Sequence, residues 1–336
     1  MKLDKILLDH GSGGQLSDNL IKDLILPAFN NSILDGLGDG AVLEIGGAKL
    51  AFSTDSYVVD PIFFPGGSIG DLAVNGTVND ISMCGAEPLF LSVGLIIEEG
   101  FPVEDLETIV NDMGAAAKKA GVQIVTGDTK VVTKGAADKI FINTSGVGII
   151  NYHKMISGAS AKPGDKIIVS GTIADHGMTI LTQREGLKFE SEIKSDSAPL
   201  NDLVKKMLGA SDNINVLRDP TRGGMGTVLN EIAEQSKIGI NIYEENIPIT
   251  NQIAGICELL GFDPLYVANE GKLIAIVSEE DSAKVLEVMQ AEEFGKDACI
   301  IGEVTKDHPD KVYMKTRIGG ERIVHMLSGE QLPRIC

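Results

Sequence analysis

This sequence predicts an α/β protein of two domains, and three observations carry the prediction. Its 336 residues exceed what one hydrophobic core usually serves. Helical and extended patterns alternate through both halves, and a turn-rich stretch, "NYHKMISGASAKPGD" (Asn151 to Asp165), separates them. Hydrophobic residues make up 43% of the chain but aromatics only 4%, with no Trp, so the cores are expected to be built from Val, Ile, Leu and Ala.

Taken in order, the opening "MKLDKILLDHGSGGQ" has an apolar run too short for a signal peptide and no small-residue cleavage site. "HGSGGQ" (His10 to Gln15) lies just before a helix, so the N–H groups around Gly13 and Gly14 could bind an anion; a flexible loop explains the glycines equally well. "SDNLIKDLILPAF" (Ser17 to Phe29) has an N-cap serine and helical apolar spacing. "AVLEIGGAKLAFSTDSYVV" (Ala41 to Val59) reads as two strands joined across Gly46-Gly47. "PVEDLETIVNDMGAAAKKAG" is an amphipathic helix with Pro102 at its start and Gly121 past its end. The strands "VQIVTGD" and "KIFINTSGVGII" follow, and after the break the second half restarts with "KIIVSG" and later "KLIAIVS". The expected division is residues 1–152, residues 153–326 and a mobile tail over 327–336.

The tail ends in "GEQLPRIC". Chain ends are usually exposed, and an exposed thiol oxidises, so packing does not explain why Cys336 stands there. A prenylation box would need its Cys where Pro333 stands. None of the four cysteines forms a C-x-x-C pair, which argues against a zinc knuckle or a dithiol and suits a reduced, cytoplasmic protein. No stretch is long and apolar enough to span a bilayer. The formal charge of −19 repels nucleic acid and anionic membranes.

No G-x-x-x-x-G-K-[ST] occurs, and "GLGDGA" runs into a strand rather than opening a helix, so neither a Walker loop nor a dinucleotide loop is indicated. Acids instead recur beside Gly, Ser or Thr at strand and helix ends: Asp39, Asp55, Asp80, Asp128 and Asp219, with Lys130 and Arg222 nearby. Singly, each suits a cap or turn; together they suit Mg²⁺ and phosphate, since Mg²⁺ takes one or two carboxylates along with phosphate oxygens. Asp71, Asn75 and Asn79 make a four-residue polar stripe on an apolar helix, read with the same set. Glu270, in "ANEGK", is an ordinary solvated glutamate unless the fold brings it to a site.

In order along the chain, "HGSGG", "STDSYVVDPIFFPGG", "TVNDISMCGAEP", "VTGDTKVV", "DHG", "DPTRGG", "ANEGK" and the terminal "PRIC" closely resemble the HypE family of hydrogenase maturation proteins. That family consists of carbamoyl dehydratases within the aminoimidazole ribonucleotide synthetase (PurM-like) superfamily. The resemblance implies an N-terminal α/β domain that binds ATP and dimerises by joining sheets into a barrel, and a C-terminal α/β domain that completes the cleft. It implies ATP and Mg²⁺, a homodimer, a carbamoyltransferase partner, HypF, and delivery to the HypC–HypD complex. Carried across by motif, Cys336 is the modified carrier, Lys130 holds an oxygen, and Glu270 is the base. Asp39, Asp55, Asp80 and Asp128 are candidates for metal and ATP, with Asp219, Arg222, Gly13 and Gly14 for ATP. Many superfamily members have a second acid where this chain has Gly40, which leaves the number of metal ions open. Arg334 is a candidate guide for the tail. A non-catalytic thiol carrier, a selenophosphate synthetase or a thiamine-monophosphate kinase are the rival readings.

Overall fold

The structure, a computed structural model, describes residues 5–11, 13–29, 31–187, 193–329 and 332–336. Residues 1–4 of the expected first domain and residues 330–331 of the expected tail lie outside the described residues.

The N-terminal half begins with α1 (Gln15–Leu20), which continues through a π-helical segment, Ile21–Ile25, into α2 (Leu26–Phe29). The helix therefore starts at Gln15, capped by Gly14, two residues before the expected N-cap. The Ser17 hydroxyl accepts from the Gly13 N–H instead, at 3.0 Å. The hairpin of β1 (Ala41–Ile45) and β2 (Ala48–Tyr57) turns at Gly46 and Gly47, both at positive φ, the backbone that a tight hairpin with right-handed strand twist requires. A two-residue ribbon, β3 (Phe63–Phe64) and β4 (Gly67–Ser68), leads into α3 (Ile69–Met83). There follow β5 (Ala86–Glu98), α4 (Val103–Ala120), β6 (Gln123–Val132) and β7 (Ile140–Ile150). The helix and strands expected over this stretch are all present.

These strands form a five-stranded sheet in the order β1-β2-β7-β5-β6, with only β5 and β6 parallel. One face is sealed by α3, which is buried along nearly its whole length because its apolar residues run all round it. The opposite face is uncovered: Phe52, Phe90 and Ile96 are exposed on it, and β6 is open along its outer edge.

The C-terminal half supplies β8 (Lys166–Val169), α5 (Asp175–Arg184), α6 (Asn201–Ala210), β9 (Ile214–Arg218) and α7 (Gly224–Ser236). It continues with β10 (Gly239–Tyr243), α8 (Asn251–Leu260), β11 (Ile274–Val277), α9 (Glu279–Gln290), β12 (Cys299–Thr305), β13 (Lys311–Lys315) and β14 (Glu321–Val324). Its seven-stranded sheet runs β14-β13-β10-β12-β8-β11-β9. Strand β11 is buried at every residue, which requires cover on both faces: Met225, Leu229 and Ile232 of α7 pack on one, and Leu203, Met207, Val285 and Met289 of α6 and α9 on the other. Between the two halves, a cavity lined by Ser56 and Val58 of the first and by Arg222, Tyr266 and Ala268 of the second marks a cleft.

Candidate active site

Four of the acids marked by the sequence meet in that cleft. Asp39 precedes β1, Asp55 lies in β2, Asp80 in α3 and Asp219 just past β9. The Ser53 hydroxyl donates to Asp80 Oδ2 at 2.7 Å. Arg218, which no motif in the sequence marks, reaches Asp39 Oδ1 with Nε at 2.7 Å and Glu231 Oε2 with Nη2 at 2.7 Å. Burial raises all four carboxyls above the ordinary range. Neighbouring acids add to this at Asp80 and at Asp219, which is pushed up to about 8. The Cys84 thiol faces the same acids and is pushed up to about 12 by burial and by the charges of Asp39 and Asp80.

Arg222 stands at the mouth of this cluster, with Nη2 3.9 Å from Asp55 Oδ1 and Nη1 donating to the Gly11 carbonyl at 3.2 Å. The negative charge at Cys336, then those of Asp55 and Glu270, hold it firmly protonated.

Glu270 is not solvated. It is 3% exposed, and its Oε1 has no hydrogen-bond partner among the described residues. Burial, then the charges of Asp55, Asp196 and Asp219, lift its pKa well above the carboxylate range. The fold holds it there through its neighbours. Asn269 Oδ1 accepts from the Ala174 N–H at 2.7 Å while its Nδ2 donates to the carbonyls of Pro220 at 2.9 Å and Val267 at 3.0 Å. The Glu270 N–H donates to Asp196 Oδ1 at 3.1 Å, and Asp196 Oδ2 pairs with Lys272 at 3.1 Å.

The polar stripe on α3 has a different use from the one expected. Asp71 accepts from the Ser197 hydroxyl at 3.0 Å, and Asn75 Nδ2 donates to the same hydroxyl at 3.0 Å. Asn79 donates to the carbonyls of Ala198 at 3.0 Å and Glu270 at 3.3 Å and accepts from the Leu200 N–H at 2.8 Å. The stripe ties α3 to the segment before α6 through hydrogen bonds to protein.

The chain end is docked, not exposed. Cys336 is 7% exposed, packed with Ile335 against the first core, and a cavity of about 210 Å³ beside it is lined by Ser56, Arg222, Tyr266 and Leu332. The Val58 N–H donates to the Cys336 carbonyl at 2.9 Å, and Arg334 Nε donates to the Val58 carbonyl at 2.8 Å, with its Nη1 on Asp138. The exposure expected of a terminal thiol is overturned here because apolar Ile335 and the main chain of the tail find partners inside the cleft.

Two of the marked positions lie away from this cluster. Asp128 and Lys130 project from β6, each side chain 68% exposed, and pair with each other at 2.8 Å. Register puts Lys130 opposite Ile96 of β5, on the uncovered face of the sheet, which is why their own chain's cleft does not receive them. Gly13 and Gly14 use their missing side chains for close packing: a Cβ on Gly13 would meet the Arg222 carbonyl at 2.9 Å, and one on Gly14 would meet that of Leu327. The Gln15 N–H donates to that same Leu327 carbonyl at 2.8 Å.

Two α/β halves around a cleft of clustered acids define the class, and comparison bears on it directly. The N-terminal domain of AIR synthase related proteins matches residues 37–150 and their C-terminal domain residues 162–315. The chain belongs to that family and, within it, to the HypE carbamoyl dehydratases. It is 51% identical over 337 residues to Carbamoyl dehydratase HypE of Cupriavidus necator, covering 100% of this chain and 96% of that protein. It is similar to the solved HypE–HypF complex, with 51% identity and a TM-score of 0.88, covering 92% of this chain and 99% of that one. It also resembles the hydrogenase maturation protein HypE in complex with ATP, with 52% identity, a TM-score of 0.84, and 99% and 100% of the two chains covered.

Proposed function

We propose that this protein is an ATP-dependent carbamoyl dehydratase acting on an S-carbamoyl group carried by its own Cys336. The thiocyanate it makes supplies the cyanide ligands of [NiFe]-hydrogenase. The observation that carries this reading is the terminal thiol lying inside the cleft, close to Arg222, whose other acidic neighbours are Asp55 and Glu270. The rival carrier reading gives no reason for a buried, unpartnered carboxylate oxygen at Glu270.

A thiocarbamate, S–C(=O)–NH₂, does not lose oxide unaided. Attack of its carbonyl oxygen on the γ-phosphorus of ATP forms a C–O–P bond and releases ADP, and loss of one N–H proton leaves an imidate phosphate. Loss of the second N–H proton with cleavage of the C–O bond gives S–C≡N and inorganic phosphate. One proton ends on phosphate and the other reaches solvent. Glu270 takes a proton from nitrogen: it is buried at the cleft, close enough to feel the Arg222 cation, with one carboxylate oxygen left unpartnered among the described residues. Arg222 steadies anionic oxygen near the tail, and Gly13, Gly14 and Asp219 border the ATP. Lys130 and Asp128 serve the cleft of a second copy, which they reach when the uncovered faces of two N-terminal sheets join into a barrel. This makes the working form a homodimer.

Mg²⁺ fits the acids present. Mg²⁺ takes one or two carboxylates and completes its shell with phosphate oxygens and water. Asp219, Asp55 and Asp39 raise the pKa of Asp80, and Asp39 and Asp55 raise that of Asp219, a cost that a dication relieves; Asp39 must share its carboxylate with Arg218. When bound, the ion neutralises charge on the β- and γ-phosphates.

HypF is the loading partner, supported by the solved HypE–HypF complex, and HypC–HypD the acceptor. The working units are residues 1–152, 153–326 and the tail 327–336, in a cytoplasmic protein; no helix among the described residues is long and apolar enough to cross a membrane. The test is the intact mass of the C-terminal peptide after incubation with HypF and carbamoyl phosphate, then with Mg-ATP. A gain of carbamoyl followed by ATP-dependent loss of water is expected. Carbamoyl that never loses water leaves a carrier, and no carbamoyl at all overturns the role of Cys336.

A further inference from the structure

On the reading just given, the sulfur of Cys336 leaves and re-enters the cleft in every cycle, bearing in turn a thiol, a carbamoyl group and a thiocyanate. Every main-chain carbonyl from Pro333 to Cys336 has a donor in the docked tail. Arg184, the last residue of α5, donates from Nη1 to the Pro333 carbonyl at 2.7 Å and from Nη2 to the Arg334 carbonyl at 2.9 Å. Its own fork is fixed by the Asp60 carbonyl, which accepts from Nε at 3.0 Å and Nη2 at 2.7 Å. The Asp60 N–H also donates to the Arg334 carbonyl, at 3.3 Å, and the Val58 N–H takes that of Cys336. His176, near the start of the same helix, has Nε2 2.7 Å from the Ile335 carbonyl and Nδ1 2.8 Å from the Ser195 hydroxyl.

A carbonyl can only accept, so Nε2 carries the proton and Nδ1 of the neutral ring accepts from Ser195. Complete burial keeps the ring neutral by lowering its pKa, and the edge of Phe64, with ring centroids 5.6 Å apart, fixes its plane.

We infer that Arg184 and His176 are positioning residues that dock the tail by its main chain. Since none of these contacts involves the sulfur, one dock serves the bare, carbamoylated and cyanated tail and sets the reacting carbon in the same place each time. Substitution therefore loosens docking without touching the ATP site. Undocking also frees the tail for its loading partner, so carbamoylation should not slow when dehydration does. A general loss of fold would depress both.

The experiment compares Arg184→Ala, His176→Phe and His176→Gln in the full chain with the unaltered protein. Maleimide labelling of Cys336 is timed on the C-terminal peptide, and HypF-dependent carbamoylation and single-turnover water loss are followed by mass, with ATP binding as the measure of fold. Loss of charge-assisted hydrogen bonds in Arg184→Ala should speed labelling by about tenfold or more. It should slow water loss by a similar factor, leaving carbamoylation no slower and ATP affinity unchanged. His176→Phe should follow it, whereas His176→Gln, which keeps an N–H near Nε2, should stay close to the unaltered protein. Unaltered labelling and water loss in both Arg184→Ala and His176→Phe would overturn the dock. Should Arg184→Ala lose ATP binding, the contrast between Phe and Gln at position 176 decides. An unaltered protein that accepts carbamoyl but never loses water overturns the dehydratase reading instead, while the labelling rates still judge the dock.

Discussion

Glu270 has a carboxylate oxygen buried without a hydrogen bond among the described residues, an arrangement that costs about 1–3 kcal/mol and is worth keeping only for use. Glu270→Gln keeps the shape and removes the proposed base. It should accept carbamoyl normally and slow water loss by about 10²–10⁴-fold, read by peptide mass. Cys336→Ala should bind ATP and accept nothing. The acid cluster makes a separate prediction. The folded protein holds the proton of Asp219 up to about 8, against the ordinary carboxylate range near 4, so this group favours the fold at low pH and that contribution is lost as pH rises through about 8. Asp80 and Glu270 have the same sign. Buried His176 has the opposite sign but acts only below the usual imidazole range. Without divalent ions the melting temperature should therefore fall between about pH 7 and pH 9, and Mg-ATP should raise it more at the upper end; a flat profile would mean that these acids do not share a field. The acids were legible in the sequence because each stands beside a small residue at an element's end. Arg218, His176 and Arg184 were not, since Asp39 and the tail carbonyls they reach lie 179, 159 and 149 or 150 residues away and no local spacing marks such a pairing.

Among the elements, the hairpin turning at Gly46-Gly47 and the helix between Pro102 and Gly121 follow their sequences closely, because turn and cap chemistry there is local. On α3 the period was legible and the partner was not: a polar stripe at four-residue spacing looks the same whether it meets metal or protein. Asn79→Ala tests the assignment. It would leave the Leu200 N–H and two carbonyls without their partner in a buried joint, and should lower stability by about 2–3 kcal/mol in denaturant titration. A metal ligand at that place would instead weaken Mg-ATP with little change in apo stability. The β6 strand was recognised as a strand, but its exposure was not legible, because alternation within one strand does not report whether its sheet has a neighbour.

For the molecule as a whole, the proposal that one chain's Lys130 and Cys336 serve different clefts of a dimer is one that complementation can test. Lys130→Ala and Cys336→Ala are each expected to be inactive alone. Mixed and allowed to exchange subunits, they should regain water loss at about one site per hybrid dimer, and no recovery would return Lys130 to its own chain's chemistry or to none. The docked tail has a further kinetic consequence for loading. HypF can capture only the fraction of molecules whose last four residues are swung out, so its apparent affinity is weakened by that fraction. Raising its concentration would speed capture only up to a plateau set by how often the tail lets go. Beyond that plateau the tempo of cyanide supply is a property of this protein's own latch, whatever the abundance of the enzyme that charges it.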